Sequence, residues 1–122
     1  MAANVLQLIL RSTLLGAAGL AALYYGSFLI MPSVMVVNQS SANLTQSVVN
    51  LPRSRLDFGL ILANKSNRIY YSLTQSDGLY EYYFVLSDNT ALKGQCGSVT
   101  NNEIGKRVVI TVFDDSARCE KK

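Results

Sequence analysis

Residues 68–86 read RIYYSLTQSDGLYEYYFVL, and the Asp77-Gly78 pair at their centre is the strongest turn signal in the chain. A two-residue Asp-Gly loop suits a type I′ hairpin, since both central positions need positive φ and these two residues tolerate it. Such a turn predicts a register. Ser76 faces Leu79; Leu73 then meets Tyr82, Tyr71 meets Phe84 and Ile69 meets Leu86 on one face. Thr74 with Glu81, Ser72 with Tyr83 and Tyr70 with Val85 share the other. The first face is wholly apolar and aromatic, and a slip of one residue would destroy that agreement. A Gly78→Val change is expected to destabilise the domain by forcing a β-branched residue to positive φ.

Toward the C-terminus, Asp88-Asn89 reads as a turn, Ala91 to Lys93 as a short strand, and residues 94–106 as mostly loop because of Gly94, Gly97, Gly105 and Asn101-Asn102. Arg107 to Phe113 (RVVITVF) is a β-branched strand with Val108, Ile110 and Val112 on one face, and residues 114–122 form a polar tail. Asp114-Asp115 reads as a solvated turn, because neighbours on a strand point to opposite faces and no third acidic ligand lies close in sequence. Toward the N-terminus, Leu56, Phe58, Leu60 and Leu62 alternate with other residues as in a half-buried strand, and Asn64-Lys65-Ser66-Asn67 is a turn cluster. The polar segment 38–52 has two readings: a flexible stalk, or an outward continuation of a helix with Val37, Leu44, Val48 and Leu51 as its stripe. Pro52 ends either one. The expected fold class is α+β: an N-terminal transmembrane helix followed, over residues 53–122, by a small, mostly antiparallel sheet of about four strands. Its apolar hairpin face needs a cover, from the helix or from a partner protein.

Charge patterning places the helix. No formal charge occurs between Arg11 and Arg53, a run of 41 residues. Within it, the 24 residues Leu14–Val37 (LLGAAGLAALYYGSFLIMPSVMVV) are nearly all apolar. A helix of that length reaches roughly 36 Å, enough for a bilayer core of about 30 Å. A cleaved signal peptide would have a shorter apolar region ending at small residues, whereas here the run continues past Ala21 and Ala22 through Phe28 to Met31, so an uncleaved signal-anchor is favoured. Arg11 precedes the span and an uncharged stretch follows it. The positive-inside rule therefore puts the short interfacial segment 1–13 in the cytoplasm and the C-terminal domain on the periplasmic or extracellular side. Ala18, Ala22 and Gly26 recur every four residues and mark one helical face that admits close helix packing, against a membrane protein or a second copy of this chain.

The exported placement bears on Cys96 and Cys119. An oxidising compartment and an even count favour a disulfide between them, closing a loop that contributes roughly 3 kcal/mol in a chain-entropy account. Two cysteines so far apart, without any histidine, do not make a zinc site, and no Cys-x-x-Cys redox pair is present. The absence of histidine also removes the commonest general base and the usual hydrolytic triads. Gly94-Gln95-Cys96-Gly97 lacks the spacing and the lysine of a phosphate loop, and nothing implies a cofactor. Asn38, Asn43 and Asn64 begin Asn-x-Ser/Thr sequons, which arise readily by chance in a chain rich in Asn and Ser. Tyr70 and Tyr83, with Arg68, form the candidate protein-binding surface; base stacking by these aromatics is disfavoured, since nucleic acid is out of place outside the membrane.

A hydrophobic N-terminal helix, a small antiparallel sheet and a disulfide-closed C-terminal loop together resemble the layout of type IV pilins and pseudopilins. The resemblance is architectural and implies a filament subunit. At the fifth position, where a mature pilin carries Glu, this chain has Val5, and Arg11 interrupts the apolar run. No Gly-Phe-Thr-Leu-Ile-Glu-like processing motif is present. The leading expectation is instead a non-enzymatic single-pass membrane protein whose exported β-domain binds another protein, as an accessory subunit of an envelope complex or an inhibitor or immunity-type factor.

Overall fold

The computed structural model describes residues 2–122, which divide at Ile30/Met31 into two compact units. The first is α1 (Ala2–Ile30), with 29 residues and a length of about 44 Å at 1.5 Å per residue. Its stretch Asn4–Gly26 is long and apolar enough to cross a membrane, and none of it is buried within the chain. Thr13 turns its hydroxyl back onto the Ile9 carbonyl (2.9 Å), the bond to the preceding turn that Ser and Thr make within helices. The helix stops at Ile30, not at Val37. Pro32 denies helical geometry to the residue before it, and the β-branched run behind it enters a sheet.

The second unit contains eight strands: β1 (Ser33–Asn38), β2 (Leu44–Asn50), β3 (Arg55–Asp57), β4 (Ser66–Tyr70), β5 (Gly78–Leu86), β6 (Ala91–Val99), β7 (Arg107–Val112) and β8 (Ala117–Lys121). They form two four-stranded sheets, ordered β4-β1-β7-β8 (sheet A) and β3-β2-β5-β6 (sheet B). All pairings are antiparallel except β1 with β7. The two sheets share one core. Val34, Val36, Ile110 and Val112 from sheet A meet Leu44, Val49, Tyr80, Phe84 and Leu86 from sheet B, all fully or nearly fully buried. The cover that the sequence demanded for one apolar face is thus the other sheet, and the domain has eight strands where about four were expected.

Several local expectations are corrected here. The β4–β5 hairpin does not form. β4 pairs with β1, placing Ile69 opposite Val34, while β5 lies between β2 and β6, with Phe84 between Ser47 and Leu92. The segment 71–77 crosses from one sheet to the other. Buried Gln75 holds it there, its side chain donating to Ser54 Oγ (2.9 Å) and the Ser72 carbonyl (3.1 Å) and accepting the Arg53 N–H (3.1 Å). Residues 38–52 are neither stalk nor helix; they complete β1, cross between the sheets and form β2. The predicted strand Leu56–Leu62 is cut to β3 by Gly59, whose φ of +65° shifts the alternation by one residue. Leu56, Phe58 and Ile61 are therefore buried, while Leu60 and Leu62 are exposed.

Residues 94–99, expected as loop, continue β6. Gly97 (φ +62°) forms a bulge at the register shift opposite residues 78–80. A Cβ on Gly94 would fall 2.5 Å from the Tyr82 hydroxyl, so the glycine there makes room for a crossing ring. The polar tail forms β8, whose Arg118, Glu120 and Lys121 suit an exposed edge strand.

Candidate functional site

The sandwich has two chemically different ends, and strand direction says which residues belong to each. β1 and β7 both start at the end where the chain enters the unit, β4 and β8 finish there, and the turns 51–54, 71–77 and 100–106 close it. Arg107 ties this entrance down. Its Nη1 donates to the Met31 carbonyl (2.5 Å), and its guanidinium lies 5.5 Å from the Tyr70 ring centroid. In register, Tyr70, Ser33 and Arg107 form one row across sheet A, and Ser33 between the two larger side chains is 1% exposed.

Beneath the same end lies a polar cluster inside an aromatic wall. Lys106 Nζ contacts Glu103 (2.7 Å), donates to the Ser98 carbonyl (2.5 Å) and sits 5.2 Å from the Tyr80 ring centroid. Glu103 also accepts the Thr100 N–H (2.7 Å). Burial pushes the Glu103 carboxyl up, but the Lys106 ammonium and the Thr100 N–H outweigh it, leaving it below the usual glutamate range. The Tyr71 and Tyr80 hydroxyls share one buried hydrogen bond of 2.7 Å, and burial raises both phenols above the ordinary tyrosine value. Both therefore stay protonated and neutral at physiological pH, and their bond joins β5 to the segment that follows β4.

The opposite end is built on Asn38, which is fully buried. Its Nδ2 donates to the Ala42 (2.8 Å) and Ile61 (3.2 Å) carbonyls, and its Oδ1 accepts the Ser40 N–H (3.0 Å) and hydroxyl (2.5 Å). The sequon at Asn38 is thus a structural crossover, with its amide nitrogen enclosed. Asp114 accepts the Ser41 N–H (2.7 Å) and hydroxyl (2.8 Å), which together draw its carboxyl below the usual aspartate range. Asp114 and Asp115 are exposed, in the turn between β7 and β8. Leu60 (62% exposed) and Leu62 (49%) project beside this crossover, their shared neighbour Ile61 being bridged to Leu44.

The proposed surface residues do not converge. Arg68 and Tyr70 lie on the outer face of sheet A, with Arg68 set against Met35 Sδ (3.7 Å), whereas Tyr83 lies on the outer face of sheet B. Between β1, β7 and β8, sheet A bears an open depression of about 420 Å³ lined by Met35, Val37, Val109, Phe113 and Arg118 among others. Ala18 and Ala22 are exposed on α1, and the space around Gly26 is open. Cys96 of β6 and Cys119 of β8 are bridged, with Cα atoms 6.0 Å apart. The bond joins the edge strand of sheet B to the edge strand of sheet A. Among the described residues, no group of three or more Cys, Asp or Glu side chains is placed to hold a metal ion. The exposed leucine pair was not anticipated. A glycine inside a predicted strand, two residues after an aspartate, was the available signal.

The chain matches no protein-family model and no curated protein. Among solved structures it is similar to the NMR structure of a protein from Eubacterium rectale, with a TM-score of 0.57 and 9% identity over 75% of this chain and 90% of that one. At that identity the likeness concerns the fold alone.

Proposed function

We propose that this chain is a single-pass, membrane-anchored, non-enzymatic protein that holds its β-sandwich on the extracytoplasmic side and binds a protein partner there. An accessory subunit of a membrane complex or an inhibitor-type factor fits this description. The helix supports the anchor by length and apolarity, and the disulfide supports an oxidising compartment. The observation that carries the partner is Leu60 with Leu62. They are neighbouring apolar side chains exposed at the end of the sandwich away from Met31, on a backbone held by the Leu44–Ile61 bridge. Asp88, Asp114 and Asp115 outnumber Lys65 at the same end, so the partner surface that fits is apolar with a mostly basic rim. The test is cross-linking in native membranes followed by purification in mild detergent. A stoichiometric partner lost in a Leu60→Asp/Leu62→Asp variant of unchanged melting temperature is the expected result. A clean monomer in both cases would count against the reading.

A further inference from the structure

The basic side chains of the sandwich are not spread evenly. Arg53, Arg55, Lys106, Arg107, Lys121 and Lys122 all lie at the end where the chain enters at Met31, against Asp77, Glu81, Glu103 and Glu120. The far end has Lys65 against Asp88, Asp114 and Asp115. The basic members divide by duty. Lys106 is held by Glu103, Arg107 by the Met31 carbonyl and Lys122 by Glu120 (3.5 Å), while Arg53, Arg55 and Lys121 are exposed. Amid these cations stand two exposed apolar side chains, Ile104 (68%) in the turn 100–106 and Leu79 (44%) at the start of β5. Tyr70 borders the same end, half-buried.

We infer that this end of the sandwich is a collar that docks onto the anionic phospholipid surface of the bilayer in which α1 is anchored; the inference rests on the anchored reading above. Met31 follows Ile30 directly, so the entrance end is covalently held close to wherever α1 leaves the lipid. Cations with a few apolar side chains between them are what an interfacial surface needs. The ammonium and guanidinium groups meet phosphate, and an Ile or Leu side chain reaches the acyl boundary. With the entrance end on the headgroups, the acidic far end with Leu60 and Leu62 lies a strand length away, beyond the screening length of about 8 Å, and faces the aqueous side.

The full chain is reconstituted into vesicles of phosphatidylcholine, alone or mixed with phosphatidylglycerol, and hydrogen exchange is followed loop by loop. Turns 51–54 and 100–106 should exchange at least about fivefold more slowly in the anionic vesicles, the factor expected of a single cation at such a surface, while 58–65 and 86–90 stay unchanged. High salt should abolish the difference, as should Arg53→Gln/Arg55→Gln/Lys121→Gln, whose changes lie at exposed positions. Equal exchange in the two lipids, with the chain resisting carbonate extraction, would overturn the collar and leave the anchor standing. A chain that carbonate removes from both vesicles would overturn both.

Discussion

Two glycines show how one residue type answers to different causes. Gly78 was expected at positive φ in a tight turn, yet positive φ is found instead at Gly59, Gly97 and Gly105. Gly78 is required for space, because a Cβ there would lie 2.6 Å from Pro52 Cγ, in a rigid ring that cannot swing aside. Gly78→Val should therefore still destabilise the sandwich, by about 1–3 kcal/mol through overpacking, and denaturant unfolding would measure it. Gly59 is the converse case: nothing lies within 4 Å of its absent Cβ, but its φ is +65°. Gly59→Ala should cost about 1–2 kcal/mol of backbone strain alone, and a variant as stable as the parent would exclude that conformation.

Among the elements, β4 and β5 were assigned the right faces and the wrong partners. Ile69, Tyr71, Tyr82, Phe84 and Leu86 all reach the core, as the hairpin register required, but they approach it from two different sheets. Alternation along a strand reports which side is buried and not which strand lies beside it. β1 was concealed for a related reason. SVMVV is apolar enough to pass as the end of a membrane span, and only pairing with β4 and β7 reveals it as a strand. The Tyr71–Tyr80 bond that links these elements has a pH signature. Both phenols hold their protons more tightly folded than unfolded, so the stabilisation is complete below pH about 10 and declines as pH rises through the folded values. Melting temperatures taken from pH 8 to 12 should fall above that point. Tyr71→Phe should cost about 1–3 kcal/mol at neutral pH by stranding the Tyr80 hydroxyl, and should flatten the decline.

For the molecule as a whole, the Cys96–Cys119 bond matters because of where the strands end up. It joins β6 to β8, the edges of separate sheets, and so closes one side of the sandwich. Replacing both cysteines with serine should lower the unfolding free energy of the detergent-solubilised chain by about 3 kcal/mol, with the parent under reductant falling equally. An unchanged transition in both would mean that the bond does not constrain the unfolded chain. From its residues alone this protein is legible as an apolar helix joined to a β-rich half, with most of the inward-facing side chains of β5 and β7 correctly placed. Those features are local, written in charge, periodicity and β-branching over a few neighbouring positions. The two-sheet arrangement, the reassignment of residues 33–50 to strands, the exposure of Leu60 and Leu62 and the gathering of basic side chains at one end were decided only by tertiary structure. Each depends on pairings between distant segments, whose energies compete across the whole chain and leave no mark on any one of them.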